Sequence, residues 1–126
     1  MQPDIEIYLK ATSHEQVIEW LEQKFGNVGD NPWAKLPKKG FGACVTWEGE
    51  PIKVMIIEKC AGNFTSVWFD SAHTPWQNDL ACAREAVAFL QVEARVGAGG
   101  WHEGAELDAW IALRDGEEVE IEWLSA

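Results

Sequence analysis

The sequence predicts an α+β fold: a two-layer sandwich in which a mixed, largely antiparallel sheet of about seven strands carries two helices on one face, in the order β-α-β-β-β-α-β-β-β. Three observations predict it. Apolar and polar residues alternate at period two in several short segments. Two other segments open with a hydroxyl residue and carry Gln three positions later, the form of a helix capping box. Gly, Pro, Asn and Asp fall between these segments, where turns are needed.

The first strand is read from Ile5, Ile7 and Leu9, which alternate with Glu6, Tyr8 and Lys10. Ser13 and Gln16 then cap a helix over about 13–25, in which Val17, Ile18, Leu21 and Phe25 form one apolar stripe and Gly26 ends it. Residues 26–41 have no periodicity, which marks a long connection of the kind that often carries function, and they hold Lys35, Lys38 and Lys39. Strands follow at about 42–48, 52–59 and 65–70, the first two joined into a hairpin by the Glu48-Gly49-Glu50-Pro51 turn. Thr74, Pro75 and Gln77 predict a second helix start, and Trp76, Leu80, Ala83, Val87 and Leu90 place that helix at about 75–90. A strand near 92–96 comes next. The final hairpin joins 109–114 to 118–123 through Asp115-Gly116, a type I′ signal. In its last strand Val119, Ile121 and Trp123 are read as the inward face, and Glu118, Glu120 and Glu122 as a charged solvent face near a sheet edge. The 126 residues form a single domain on this reading.

Eight tryptophans are present, an unusual number for a chain of this length. Trp76, Trp47 and Trp123 are assigned to the core, and Trp20 and Trp110 to structural positions. Trp33, Trp68 and Trp101 fall in loops or on the far face of the sheet and are candidates for recognition. If Val54, Ile56, Val67 and Phe69 meet the helices, then Met55, Ile57 and Trp68, with Tyr8 and Cys44, point the other way. Such an apolar patch marks an interface or a ligand surface more often than chance exposure.

The net charge is −11, and seven of those charges fall within residues 101–126. Such a field excludes nucleic acid and anionic membranes as partners and steers a basic protein toward the chain. Neither a signal segment nor an 18-residue apolar run occurs, and three widely spaced cysteines make no disulfide framework, so a cytoplasmic protein is expected.

If each β-α-β crossover joins parallel strands, Asp70, His73, Trp101, His102 and Glu103 share one end of the sheet, beside the start of the second helix. This is the one constellation mixing acid, imidazole and aromatic chemistry. Metal-ligand spacings such as H-x-x-x-H and C-x-x-C are absent, as are phosphate-loop and nucleophile motifs, so no catalytic residue, metal or cofactor is assigned. The sequence reading is therefore a small acidic interaction module, regulatory, inhibitory or immunity-like. Its binding residues are Trp33, Trp68, Trp101, Asp70, His73, His102, Glu103, Met55 and Ile57, its partner is a basic protein, and a homodimer through the open sheet face is a further expectation. The alternatives are a small-ligand or carbohydrate binder and, behind it, a metal-assisted enzyme built on the 70–73 and 101–103 loops.

Overall fold

The computed structural model describes residues 4–97 and 109–123. The expected element order is found: β1 (Ile5–Lys10), α1 (His14–Phe25), β2 (Gly40–Trp47), β3 (Glu50–Ala61), β4 (Phe64–Asp70), α2 (Asp79–Leu90), β5 (Ala94–Gly97), β6 (Ala109–Arg114) and β7 (Glu117–Glu122). All seven strands form one sheet in the order β2-β3-β4-β1-β5-β6-β7. Every neighbouring pair is antiparallel, so the sheet is not mixed. Of the two helical crossovers, the one through α2 joins strands of the same direction, β4 and β5, with β1 between them.

The β1-α1-β2 connection does not join parallel strands, because the chain between α1 and β2 returns along the sheet before β2 begins. Gly29 exchanges backbone hydrogen bonds with Cys44 on β2, at 2.7 and 3.3 Å, and the Gly40 N–H donates to the carbonyl of Pro37. Residues 26–39 therefore run as a strap along the β2 edge.

Local chemistry explains the element limits. The Ser13 hydroxyl accepts the Gln16 N–H while the Gln16 side chain accepts the Ser13 N–H, and Gly26 closes α1 at φ 85°. Two hairpin turns carry positive φ at both central residues, Glu48-Gly49 (50° and 81°) and Asp115-Gly116 (52° and 76°), as type I′ geometry requires. A register shift between Ile57 and Ala61, with Lys59 at φ 50°, puts a bulge in the β3–β4 pair.

The second helix begins later than its sequence suggests. Asn78, not Thr74, is the cap: its side chain accepts the Ala81 N–H. The Thr74 hydroxyl instead organises a turn with the Trp76 backbone, and this delivers the indole of Trp76 into the core ahead of the helix. Its Nε1–H donates to Glu85 at 2.9 Å, which satisfies the one polar atom that burial of an indole strands. Strand β5 likewise starts at Ala94 rather than 92.

Both helices pack on one face. There Ile5, Ile7 and Leu9, Val45, Ile52, Val54 and Ile56, and Val67 and Phe69 meet Val17, Trp20 and Leu21 of α1 and Cys82, Ala83 and Ala86 of α2. Cys82 is a fully buried small hydrophobe on α2. Trp20, Phe69 and Trp76 form a mutual aromatic contact, with ring centroids 5.0–6.1 Å apart.

The face of β7 is reversed from the sequence reading. Leu113 and Ile111 of β6 pack toward the helices, so Trp110 and Ala112 point away, and their cross-strand partners Ile121 and Val119 point away with them. Trp123, just past β7, lies on that same far face against Tyr8 and Trp110 and is not core. The glutamates are on the helix side, where Glu118 holds Arg84 of α2 through two bonds of 2.7 and 2.9 Å. They do stand on an edge strand, as expected.

Candidate functional site on the open sheet face

The far face is built by register. Gly42 and Cys44 on β2, Lys53, Met55 and Ile57 on β3, Ser66 and Trp68 on β4, Glu6 and Tyr8 on β1, Arg95 and Gly97 on β5, and Trp110 on β6 all project from it. Met55, Ile57, Trp68, Tyr8 and Cys44 therefore share the face opposite the helices, and each is partly exposed.

One aromatic cluster lies at the β2–β4 side. Trp33, carried by the strap, stacks on Trp68 with centroids 5.4 Å apart, and its Nε1–H donates to the Val54 carbonyl at 2.9 Å. The Lys53 ammonium sits 4.6 Å from the Trp33 ring centre. The Trp68 Nε1–H donates to the Asp4 carboxylate. The strap thus covers part of the face, and Trp33 is its pin rather than a free ring.

A second cluster lies on β1, β5 and β6. Tyr8, Trp110 and Trp123 meet edge to face with centroids 4.9–5.5 Å apart, a geometry that matches positive ring edges to negative ring faces. Arg95 spreads its guanidinium over Phe64 and Trp123, 4.5 and 4.7 Å from the ring centres, and Glu93 holds it from behind at 3.0 Å.

Carboxylates separate the clusters. Glu6 accepts from the Ser66 hydroxyl at 2.9 Å and the Tyr8 hydroxyl at 3.4 Å. Its own N–H donates to Asp79 at 3.2 Å. Burial, with added repulsion from Glu6 and Asp4, raises the Asp79 carboxyl to about 6, against the opposing pull of that hydrogen bond. Burial and the Glu6 charge also push the Tyr8 hydroxyl upward, so it stays protonated and donating.

The end-of-sheet constellation is only partly described. The His73 imidazole meets Glu48 of the β2–β3 turn at 3.0 Å, both well exposed, which places these two loops at one end of the sheet. Asp70 is exposed at the same end, opposite Lys53 in register. Because α2 begins at Asp79, neither residue stands at the helix start. Trp101, His102 and Glu103 lie outside the described residues. Among the described residues no group of three or more His, Cys, Asp or Glu is placed to hold a metal ion, and no helix is long and apolar enough to cross a membrane.

Sequence reasoning missed Glu6, Arg95, Gly97, Trp110 and Trp123 as members of the far face. The period-two pattern of 119–123 contained part of the signal, but its phase was read against the wrong side.

No family model matches the chain, and no solved structure matches it. Over 89 aligned residues it is 36% identical to a 6-phospho-5-dehydro-2-deoxy-D-gluconate aldolase of Halalkalibacterium halodurans, an alignment covering 57% of this chain and 30% of that protein. The chain thus spans less than a third of the relative it matches.

Proposed function

We propose that this chain is a protein-interaction module whose open sheet face docks a basic partner protein. One observation carries the reading: the face opposite the helices collects Tyr8, Trp68, Trp110, Trp123, Arg95 and Met55, all only partly buried. Trp, Tyr and Arg are the residue types that dominate binding energy at protein interfaces, and Met is enriched there with them. Together with a net charge of −11, which accelerates encounter with a cationic surface, this favours a basic protein over a neutral one. The aldolase match supplies no competing site. Its alignment covers 57% of this chain and 30% of that enzyme.

The test is photocrosslinking in the native host, with benzoylphenylalanine placed at Ile57 or Ile121 on the open face and at Phe89, a 44% exposed residue of α2, as the control. The expected adduct is a protein of basic isoelectric point, formed from the two face positions, absent from Phe89 and lost at high salt. Adducts from Phe89 alone, or none from the face, overturn the reading. A face adduct with a second copy of this chain replaces it with the homodimer.

A further inference from the structure

A cavity of about 630 Å³ lies where α2 leads into β5 and β6 turns into β7, a volume within the range of small-molecule sites. Its lining joins the end of β1 to the helix and the hairpin, and includes Lys10, Val87, Val92, Glu93, Arg114 and Asp115. Leu9 pairs with Ala94 and Ala94 with Leu113, so the cavity stands where β1 stops and β5 starts. Residues 1–3, 98–108 and 124–126 all join these strands at the opposite end. Another cavity, of about 250 Å³, lies at the start of α1, but helix N–H groups beside it are already taken by Glu58 and Ser13.

The polar lining carries both signs of charge. Three cations surround one carboxylate: Arg95 bonds Glu93 at 3.0 Å, while the Lys10 ammonium and the Arg114 guanidinium stand 3.9 and 3.7 Å from it. Those two distances are too long for hydrogen bonds, so the Lys10 and Arg114 donors are not committed to Glu93. Negative charge comes from Asp115, which takes part in none of the ion pairs among the described residues. The carboxyl end of α2 adds to it, because the last turn of that helix carries no basic residue. Val87 and Val92 supply an apolar wall.

We propose that this cavity binds a free α-amino acid with an aliphatic side chain. Its carboxylate pairs with Lys10 and Arg114, its ammonium with Asp115, and its side chain packs against Val87 and Val92. A simple anion would meet Asp115 and the negative end of α2, and a simple cation would meet Lys10 and Arg114. A ligand carrying both charges satisfies both sets, and charge-assisted bonds are the strong ones. A zwitterion also has no net charge, so the −11 of the chain does not repel it. The inference goes beyond the docking reading and does not depend on it: it places a small molecule at the end of the sheet, not a protein on its face.

The experiment uses the full chain, isotope-labelled, titrated with leucine, 4-methylpentanoate, 3-methylbutylamine and glycine. The last three remove in turn the ammonium, the carboxylate and the side chain of leucine. Saturable shifts of the Ala88, Val92, Arg114 and Gly116 amides are expected with leucine, and binding at least about tenfold weaker with each of the others. Arg114→Gln and Asp115→Asn should keep the melting temperature of the parent and each weaken leucine by about tenfold. They should also separate the two charges. Asp115→Asn should bind leucine no better than 4-methylpentanoate, and Arg114→Gln no better than 3-methylbutylamine. Lys35→Gln, which removes one positive charge from the strap, should leave leucine binding unchanged. No saturable shift with leucine, equal binding of leucine and either single-charge analogue, or equal weakening by Lys35→Gln overturns the proposal.

Discussion

A methyl group on the α-carbon of Gly42 would stand 2.0 Å from Asn31 Oδ1 and 2.7 Å from Trp33 Cδ1. Neither atom is free to move alone. Asn31 Oδ1 accepts the Trp33 N–H at 2.8 Å, and the indole is fixed by Val54 and by its stack on Trp68. Gly42→Ala is therefore expected to lift Trp33 off Trp68, at a cost of about 1–3 kcal/mol, the usual range for overfilling a packed site. Tryptophan emission should shift to the red and become more quenchable by acrylamide, and chemical denaturation should report the lost stability. Emission and stability equal to those of the parent would show that the strap is not pinned there. At this scale the sequence was informative about large residues and silent about small ones. Trp33 and Trp68 were visible as candidates because bulky indoles far from the helical stripes need a reason. Gly42 is a glycine in a strand like Gly97, and only the neighbours brought to it by the strap show that its position is filled.

The start of α2 shows what a local motif does and does not determine. Thr74-Pro75-Trp76-Gln77 has every feature of a helix start, yet Asn78 accepts the Ala81 N–H and the helix begins at Asp79. The competing term is tertiary: Trp76 reaches the core beside Trp20 and Phe69 only if the chain turns before the helix begins. The late start also puts Asp79 under the Glu6 backbone, where its carboxyl is raised to about 6. An unfolded aspartate titrates near about 3.9. The folded chain therefore binds this proton more tightly than the unfolded chain does. The stabilising contribution of the protonated carboxyl is complete below about pH 4 and is lost as pH rises through about 6. Asp79→Asn keeps the acceptor oxygen and removes the titration. Its stability relative to the parent should rise between pH 4 and 6.5, measured by urea denaturation across that range, and a flat difference would refute the assignment. Strand β7 gives the complementary lesson. Alternation at 118–123 groups the residues correctly into two faces, but which face meets the helices is set by the packing of Leu113 and Ile111 on β6, information that lies outside the strand itself.

Across the whole molecule, the architecture was legible because capping, periodicity and turn chemistry agree in most segments, which is the condition under which local signals specify a fold. The sense of the β1-α1-β2 connection was not legible, because a structureless segment of fourteen residues can return the chain to either end of the sheet. That same segment protects one of the two sheet edges. The β2 edge is covered by the strap through the Gly29–Cys44 bridge. β7 is the other outer strand, and it carries Glu117, Glu118, Glu120 and Glu122. An edge strand offers a row of backbone donors and acceptors to any passing chain, and charge along it is a common defence. Glu118 is also tied to Arg84, whereas Glu120 and Glu122 are exposed and make none of the side-chain bonds among the described residues. The double substitution Glu120→Thr and Glu122→Thr raises strand propensity and removes two charges while leaving the Arg84 contact in place. Its effect on folding stability should stay within about 0.5 kcal/mol, as for surface positions away from packed groups. Its self-association should rise above that of the parent, read by sedimentation velocity over a concentration series. A variant that sediments like the parent at every concentration would mean that these glutamates do not guard the edge. Association suppressed by restoring only one of the two would locate the guard at that position.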